Sequence, residues 1–154
     1  CGFGAWSLSS GGSGGSYLGG TALGTSTFGI YSGGADESNF FTAGRGFIDK
    51  MPVGSTFSLS LGYTGVSNGG SIGINLFSGI NHRFTFKFVG GNSFWVINDG
   101  GSDFNTTIPW SGSTPLSFAF TRGSGNIYSL EITQGVATYI ANNYIANSGT
   151  MDID

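Results

Sequence analysis

The sequence predicts an all-β fold, a two-layer antiparallel β-sandwich, and three observations lead to that prediction. Apolar and polar residues alternate with a period of two over long stretches, whereas almost nothing repeats at helical spacing. Aromatic residues make up 15% of the chain, while charged residues make up only 8%. The gaps between the alternating stretches hold the Gly, Asn and Ser residues that tight turns require. Strands with one apolar face each bury those faces by pairing two sheets, so a sandwich follows.

The clearest strands begin at residue 56. In each of them the apolar side chains fall on one face, as Phe84, Phe86 and Phe88 do, and Ser, Thr, Gly or Lys falls on the other. Their short, Gly-rich links predict antiparallel neighbours, so the region forms a meander or part of a jelly roll. The strands are predicted at 56–63, 71–78, 83–89, 94–98, 115–121 and 126–133.

The beginning and the end of the chain are less regular. Short strands are expected at 3–9, 27–31, 45–48, 136–140 and 150–154, and Trp6 is assigned to the core. The Gly/Ser tract at 10–16 has too little side chain to pack, which predicts a loop or flexible connector. The last strand stops in what reads as mid-strand. We therefore expect a single sandwich domain over 1–154, whose flanking strands are either missing or supplied by something else.

Composition excludes several functional classes. The formal net charge is −3 and the five Lys and Arg residues are scattered, so the chain lacks the concentrated cationic face that nucleic acids require. No apolar run reaches the length of a membrane span. The uncharged polar composition is typical of exported bacterial β modules, which predicts an extracellular or cell-surface location.

Cys1 is the single cysteine, so no internal disulfide forms. Two interpretations of its position stay open. Either the chain or fragment simply begins there, or Cys1 is the lipid-bearing first residue of a mature bacterial lipoprotein.

Four segments carry a resemblance to a known family. GFGAWSL at 2–8, FSLSL at 57–61, FTFKFVGG at 84–91 and WVINDGG at 95–101 combine Gly and aromatic residues in strands and turns. In this pattern the chain resembles the concanavalin A-like (laminin G-like) jelly-roll modules of exported bacterial surface proteins. The resemblance implies a jelly roll and export, and it transfers no catalytic residue.

An enzymatic function is not expected. A jelly-roll glycosidase needs two carboxylates projecting from one strand face, and the acidic residues offer no such set. The one alternating pair, Asp152 and Asp154, stands at the end of the chain. His82 is the single histidine and lies in a predicted turn, which favours a solvated loop residue over a general base.

One turn, 98–103, is a candidate calcium site. It offers several oxygen ligands, with Asp99 and Asp103 as the carboxylates, and Ca²⁺ prefers flexible hard ligands of this kind. The same residues are also ordinary turn chemistry, so both interpretations stay open. No other cofactor is predicted.

A candidate carbohydrate site lies on the polar face of the strand at 83–89. With its Phe residues in the core, Arg83, Thr85 and Lys87 share the opposite face. A hairpin across 90–93 brings the next strand alongside, and we expect its Trp95 on the same open face. An aromatic platform beside polar groups suits a pyranose ring. The alternative is that a loop or the first strands cover Trp95.

The sheet edges suggest assembly. Natural sheets discourage edge-to-edge pairing with Lys, Pro and inward charges, yet this chain has only two Lys and three Pro, and its strands are long and uncharged. We therefore favour a homo-oligomer or polymer: a non-enzymatic extracellular structural or adhesive subunit of a filament or surface assembly that self-associates through sheet edges. The alternative is a lectin-like carbohydrate-binding module whose partner is a polysaccharide.

Overall fold

Antiparallel β-strands form the regular structure of the residues that can be described. The computed structural model describes residues 3–21, 23–34, 36, 38–144 and 152–154, and within these ranges there is no helix. Cys1 lies outside them, and so do residues 150 and 151 of the last predicted strand. The twelve strands of the described ranges are β1 Ser7–Gly11, β2 Gly15–Thr21, β3 Gly24–Tyr31, β4 Phe40–Gly44, β5 Thr56–Leu61, β6 Ser71–Ser78, β7 Asn81–Val89, β8 Phe94–Asn98, β9 Phe104–Pro109, β10 Leu116–Arg122, β11 Ile127–Gln134 and β12 Ala137–Tyr144.

Two four-stranded sheets form a sandwich. We call them sheet I, in the order β12-β11-β10-β5, and sheet II, in the order β6-β7-β8-β9. Phe118 of sheet I shows how they pack, because its ring centroid lies 6.1 Å from that of Phe84 and 5.5 Å from that of Phe86, both in sheet II. The predicted all-β sandwich is confirmed.

The core between the sheets consists mainly of aromatic rings. Phe84, Phe86 and Phe88 are buried as predicted, and Phe84 also packs against Phe120 and Tyr128 across the sandwich. Each large apolar side chain withdrawn from water contributes roughly 1.5–3 kcal/mol, so this layer supplies most of the favourable free energy of folding. The ionic contribution is small, since few charges are present.

The strands predicted at 56–63, 71–78, 83–89, 94–98, 115–121 and 126–133 match the observed ones to within two residues. Strand β12, predicted at 136–140, runs four residues further, to Tyr144, and the described residues 152–154 of the last predicted strand lie in no strand. Strand β9 was not predicted, because Phe104–Pro109 contains few apolar residues and ends in Pro. The connector predicted at 10–16 is wrong at both ends, since β1 runs to Gly11 and β2 starts at Gly15. No strand covers 45–48, and β4 lies just before it.

Residues 3–48, which we call the N-terminal unit, form two small sheets outside the sandwich, β1-β4 and β2-β3. Phe3 and Phe47 join the unit to sheet I, with ring centroids 6.3 Å and 5.9 Å from that of Phe57. None of the described residues before Met51 is buried. The assignment of Trp6 to the core is wrong, because 56% of this residue is exposed.

Strand β8 faces the opposite way from the prediction. Trp95 and Ile97 are fully buried, and the Trp95 ring stacks on that of Phe86 with centroids 4.6 Å apart. Ile97 pairs with Phe86 and Val96 with Lys87, which sets the inner and outer faces of the strand. The prediction failed because 94–97 is apolar at every position, and a shift of one residue exchanges the two faces.

This orientation predicts that alanine substitutions at two adjacent positions lower the free energy of unfolding by different amounts. Trp95→Ala should lower the free energy of unfolding by about 3–5 kcal/mol, because it opens a cavity beside Phe86. Phe94→Ala should cost less than about 1 kcal/mol, since this side chain lies on the outer face. Chemical denaturation of both variants measures the difference. Equal costs would contradict the orientation of β8.

Candidate functional site

The outer face of sheet II carries the predicted polar residues. Thr85 lies opposite Asn75 of β6 and Asn98 of β8, and Lys87 lies opposite Gly73 and Val96. The structure thus brings Thr85 and Lys87 together on one face, as the alternation predicted. Arg83, on the same strand, is buried, since only 7% of its surface is exposed to solvent.

A cluster of hydrogen bonds surrounds Thr85. Its hydroxyl donates to Asn75 Oδ1 at 2.9 Å, and its Oγ1 lies 2.7 Å from His82 Nε2. His82 Nε2 is also 3.1 Å from Asn75 Oδ1. His82 was predicted as a solvated loop residue, and it does remain exposed, but it lies in β7 and is tied to this network. Partial burial, followed by the charge of Lys87, lowers the pKa of His82 below its ordinary value.

A second cluster connects Lys87 to the turn after β8. Lys87 Nζ forms an ion pair with Asp103 Oδ2 at 2.8 Å, and Asn98 Nδ2 donates to Asp103 Oδ1 at 2.9 Å. The hydrogen bond from Lys87, and next that from Asn98, lowers the pKa of the Asp103 carboxyl. Lys87 is therefore held in place by an acid on the same surface.

The two candidate calcium ligands have different partners. Asp103 pairs with Lys87, whereas Asp99 Oδ2 accepts a hydrogen bond from the hydroxyl of Tyr128, a residue buried in the core. Burial, followed by the charge of Asp99, raises the pKa of Tyr139 nearby. Across the described ranges, no group of three or more His, Cys, Asp or Glu side chains is arranged to hold a metal ion. The structure thus gives each carboxylate its own protein partner, and the calcium site stays a prediction.

The aromatic residue on the outer face of β8 is Phe94. The prediction that Trp95 provides an open platform is wrong, since Trp95 is fully buried. Phe94 is 39% exposed; on the same face of this strand, Val96 is only 3% exposed and Asn98 is partly exposed. The outer face of β8 therefore does carry an aromatic side chain, but it is the phenyl ring of Phe94 and not the larger indole of Trp95.

A second candidate surface, on the N-terminal unit, was missed by sequence reasoning. The Trp6 and Phe28 rings stack with centroids 5.9 Å apart, and the Arg45 guanidinium lies 4.3 Å from the Phe3 ring centroid and 5.0 Å from that of Trp6. The exposed large apolar residues of this unit are Phe3, Trp6, Leu8, Tyr17, Leu18, Leu23, Phe28, Ile30, Tyr31, Phe40 and Ile48. The alternation in 27–31 was visible in the sequence, but alternation alone does not reveal whether a face has a partner layer.

Comparison of the chain with protein-family models, with curated proteins and with solved structures finds no match. Within the part of the chain that the structure describes, no helix has the length and hydrophobicity to cross a bilayer.

The lowered pKa of His82 predicts a pH dependence of stability. Because the folded pKa lies below the unfolded value of about 6.5, stability is complete above that value and falls as the pH drops through the folded pKa. Denaturant unfolding at pH 8 and pH 5.5 measures this loss. His82→Gln should reduce the difference, since Gln cannot take up the proton. NMR titration of this single histidine reports its pKa directly, and a value at or above 6.5 would contradict the prediction.

Proposed function

We propose that this protein is a non-enzymatic subunit of an extracellular or cell-surface assembly, structural or adhesive, that associates with further copies of itself. The observation that carries the proposal is the surface of the N-terminal unit. Leu18 is 84% exposed, and its cross-strand partner Phe28, 46% exposed, stacks on Trp6, which is 56% exposed. Large contiguous apolar patches are rare on soluble monomers and typically mark interaction sites.

The backbone of the N-terminal unit supports association through sheet edges. Its two sheets have two strands each, so every strand is an edge with unpaired N–H and C=O groups. None of β1, β2, β3 or β4 contains a charged residue or a proline, the residues with which natural edges discourage pairing. Two-stranded sheets are also only marginally stable alone, so pairing with another copy stabilises them.

Self-association can be tested by a charge placed on this surface. We expect the protein to associate as its concentration rises, and Leu18→Lys to raise the concentration for half-association at least about tenfold, because a buried lysine opposes pairing. Sedimentation velocity and electron microscopy measure the effect.

The matched control is Ile80→Lys. Ile80 is 96% exposed and lies in the turn between β6 and β7, outside the N-terminal unit. This variant should associate like the unmodified protein. A strictly monomeric protein at high concentration would refute the proposed function, and equal effects of the two variants would refute the role of this surface.

Carbohydrate binding on the outer face of sheet II is the second candidate, favoured by the position of Phe94. This ring lies on the same face as Lys87 and Asn98, which are partly exposed, and this gives a small aromatic platform beside polar groups. Thr85 lies on the same face but is buried, so it supports the platform from below. A glycan array tests the candidate. Binding should be lost in Phe94→Ala and retained in Ile80→Lys, and binding that survives Phe94→Ala would exclude this site.

A further inference from the structure

The last three residues of the chain lie in a slot between the residue pair 50–51 and the end of β6. Met51 N donates a hydrogen bond to Ile153 O at 2.8 Å, and Asp154 N donates to Phe77 O at 3.2 Å. Gly79 N donates to Asp154 Oδ1 at 2.6 Å. The segment 152–154 is thus bonded on both sides, although it belongs to none of the strands.

The slot combines an apolar pocket with two positively charged side chains. The Ile153 side chain is 1% exposed and belongs to the core cluster together with Met51. Asp152 Oδ2 lies 2.8 Å from Lys50 Nζ, and its Oδ1 lies 3.0 Å from Arg122 Nη2. Arg122 also donates to the Met51 carbonyl, so one side chain joins the segment to the 50–51 wall of the slot.

These contacts define what the slot recognises: an acid, then an aliphatic residue that fills the pocket, then a second acid. In the sequence the order acid, aliphatic, acid occurs at 152–154 and nowhere else. The slot is therefore complementary to residues 152–154 only, whether these residues belong to the same copy or to another one.

The attachment of this segment is weak compared with that of a strand. A single side chain, Ile153, is buried deeply, and Lys50 in the flanking ion pair is 63% exposed. Exposed ion pairs contribute little to stability in water. The Arg122–Asp152 pair is less exposed, at 14% and 24% of the two side chains, so this pair and Ile153 provide most of the attachment. When residues 152–154 leave the slot, few contacts break.

We infer that the slot also binds the C-terminal segment of a second copy, so that copies in the assembly exchange residues 152–154. Exchange recovers every contact that opening breaks, because the incoming segment is identical, and this makes swapping a low-cost route to association. The inference rests on the proposed self-association and names the segment and site that take part.

The exchange also gives the assembly a second, different contact. A single self-complementary surface closes at a pair of copies, whereas two distinct contacts per copy extend into a chain. The N-terminal unit and the slot lie on separate elements, so one copy can use both at once.

Zero-length carbodiimide cross-linking of the full chain tests the exchange. The reagent joins Lys50 Nζ to the Asp152 carboxylate as an amide with loss of water, because the two atoms already lie 2.8 Å apart. Equal amounts of ¹⁴N-labelled and ¹⁵N-labelled chains are unfolded and refolded together, then cross-linked as assembled and monomeric fractions. Mass spectrometry of the linked peptides shows whether the two residues came from one chain or two.

The matched control is the Lys87–Asp103 pair, also at 2.8 Å, which joins neighbouring strands within sheet II. In the assembled fraction we expect about half of the Lys50–Asp152 links to carry mixed labels, and none of the Lys87–Asp103 links. If assemblies form but the Lys50–Asp152 links are unmixed, the exchange is refuted while the proposed function stands. If no assembly forms at any concentration and the links are unmixed, both are refuted.

Discussion

The burial of aromatic rings between sheets I and II is the interaction on which the rest of the structure depends. Phe86, Phe118 and Trp95 fill the middle of the sandwich, and the strands that carry them hold the outer polar clusters in place. Ionic contributions are minor, because charged residues make up only 8% of the chain. Close approach of backbones supports the same packing: a Cβ at Gly73 would lie 2.2 Å from Phe86 O, so only glycine lets β6 pair with β7 at this position. The packing of the core and the register of the strands therefore depend on each other.

The N-terminal unit shows what happens when the same strand chemistry has no second layer. Phe28 and Ile30 alternate with Gly29 and Thr27 just as core residues do in sheet II, yet both remain exposed. Strand formation thus depends on the local pattern, whereas burial depends on a partner surface that the pattern does not specify. The proposed assembly assigns that partner role to another copy of the chain, which would give this unit the layer that the sandwich provides for itself.

Sequence reasoning identified the sandwich and the inward face of β7, because Phe84, Phe86 and Phe88 alternate strictly with polar residues. It failed for β8, where four consecutive apolar residues do not show which side chains face the core. It also failed for β9, where Thr106 is buried although it is polar, and its hydroxyl donates a hydrogen bond to the Trp95 carbonyl. Of the candidate site, Thr85 and Lys87 were placed correctly. The pairing of Lys87 with Asp103 could not be predicted, since it depends on how the turn after β8 folds back onto the sheet. The concanavalin A-like resemblance stays a prediction.

The scarcity of charge has a consequence for the environments in which this fold persists. Dissolved salt acts chiefly by screening charges from one another, and it leaves the burial of hydrocarbon almost unaffected at moderate concentration. In the described part of the chain, the ion pairs of Lys50, Lys87 and Arg122 involve no residue of the aromatic core cluster. A molecule built in this way is expected to keep nearly the same stability from low to moderate salt concentration.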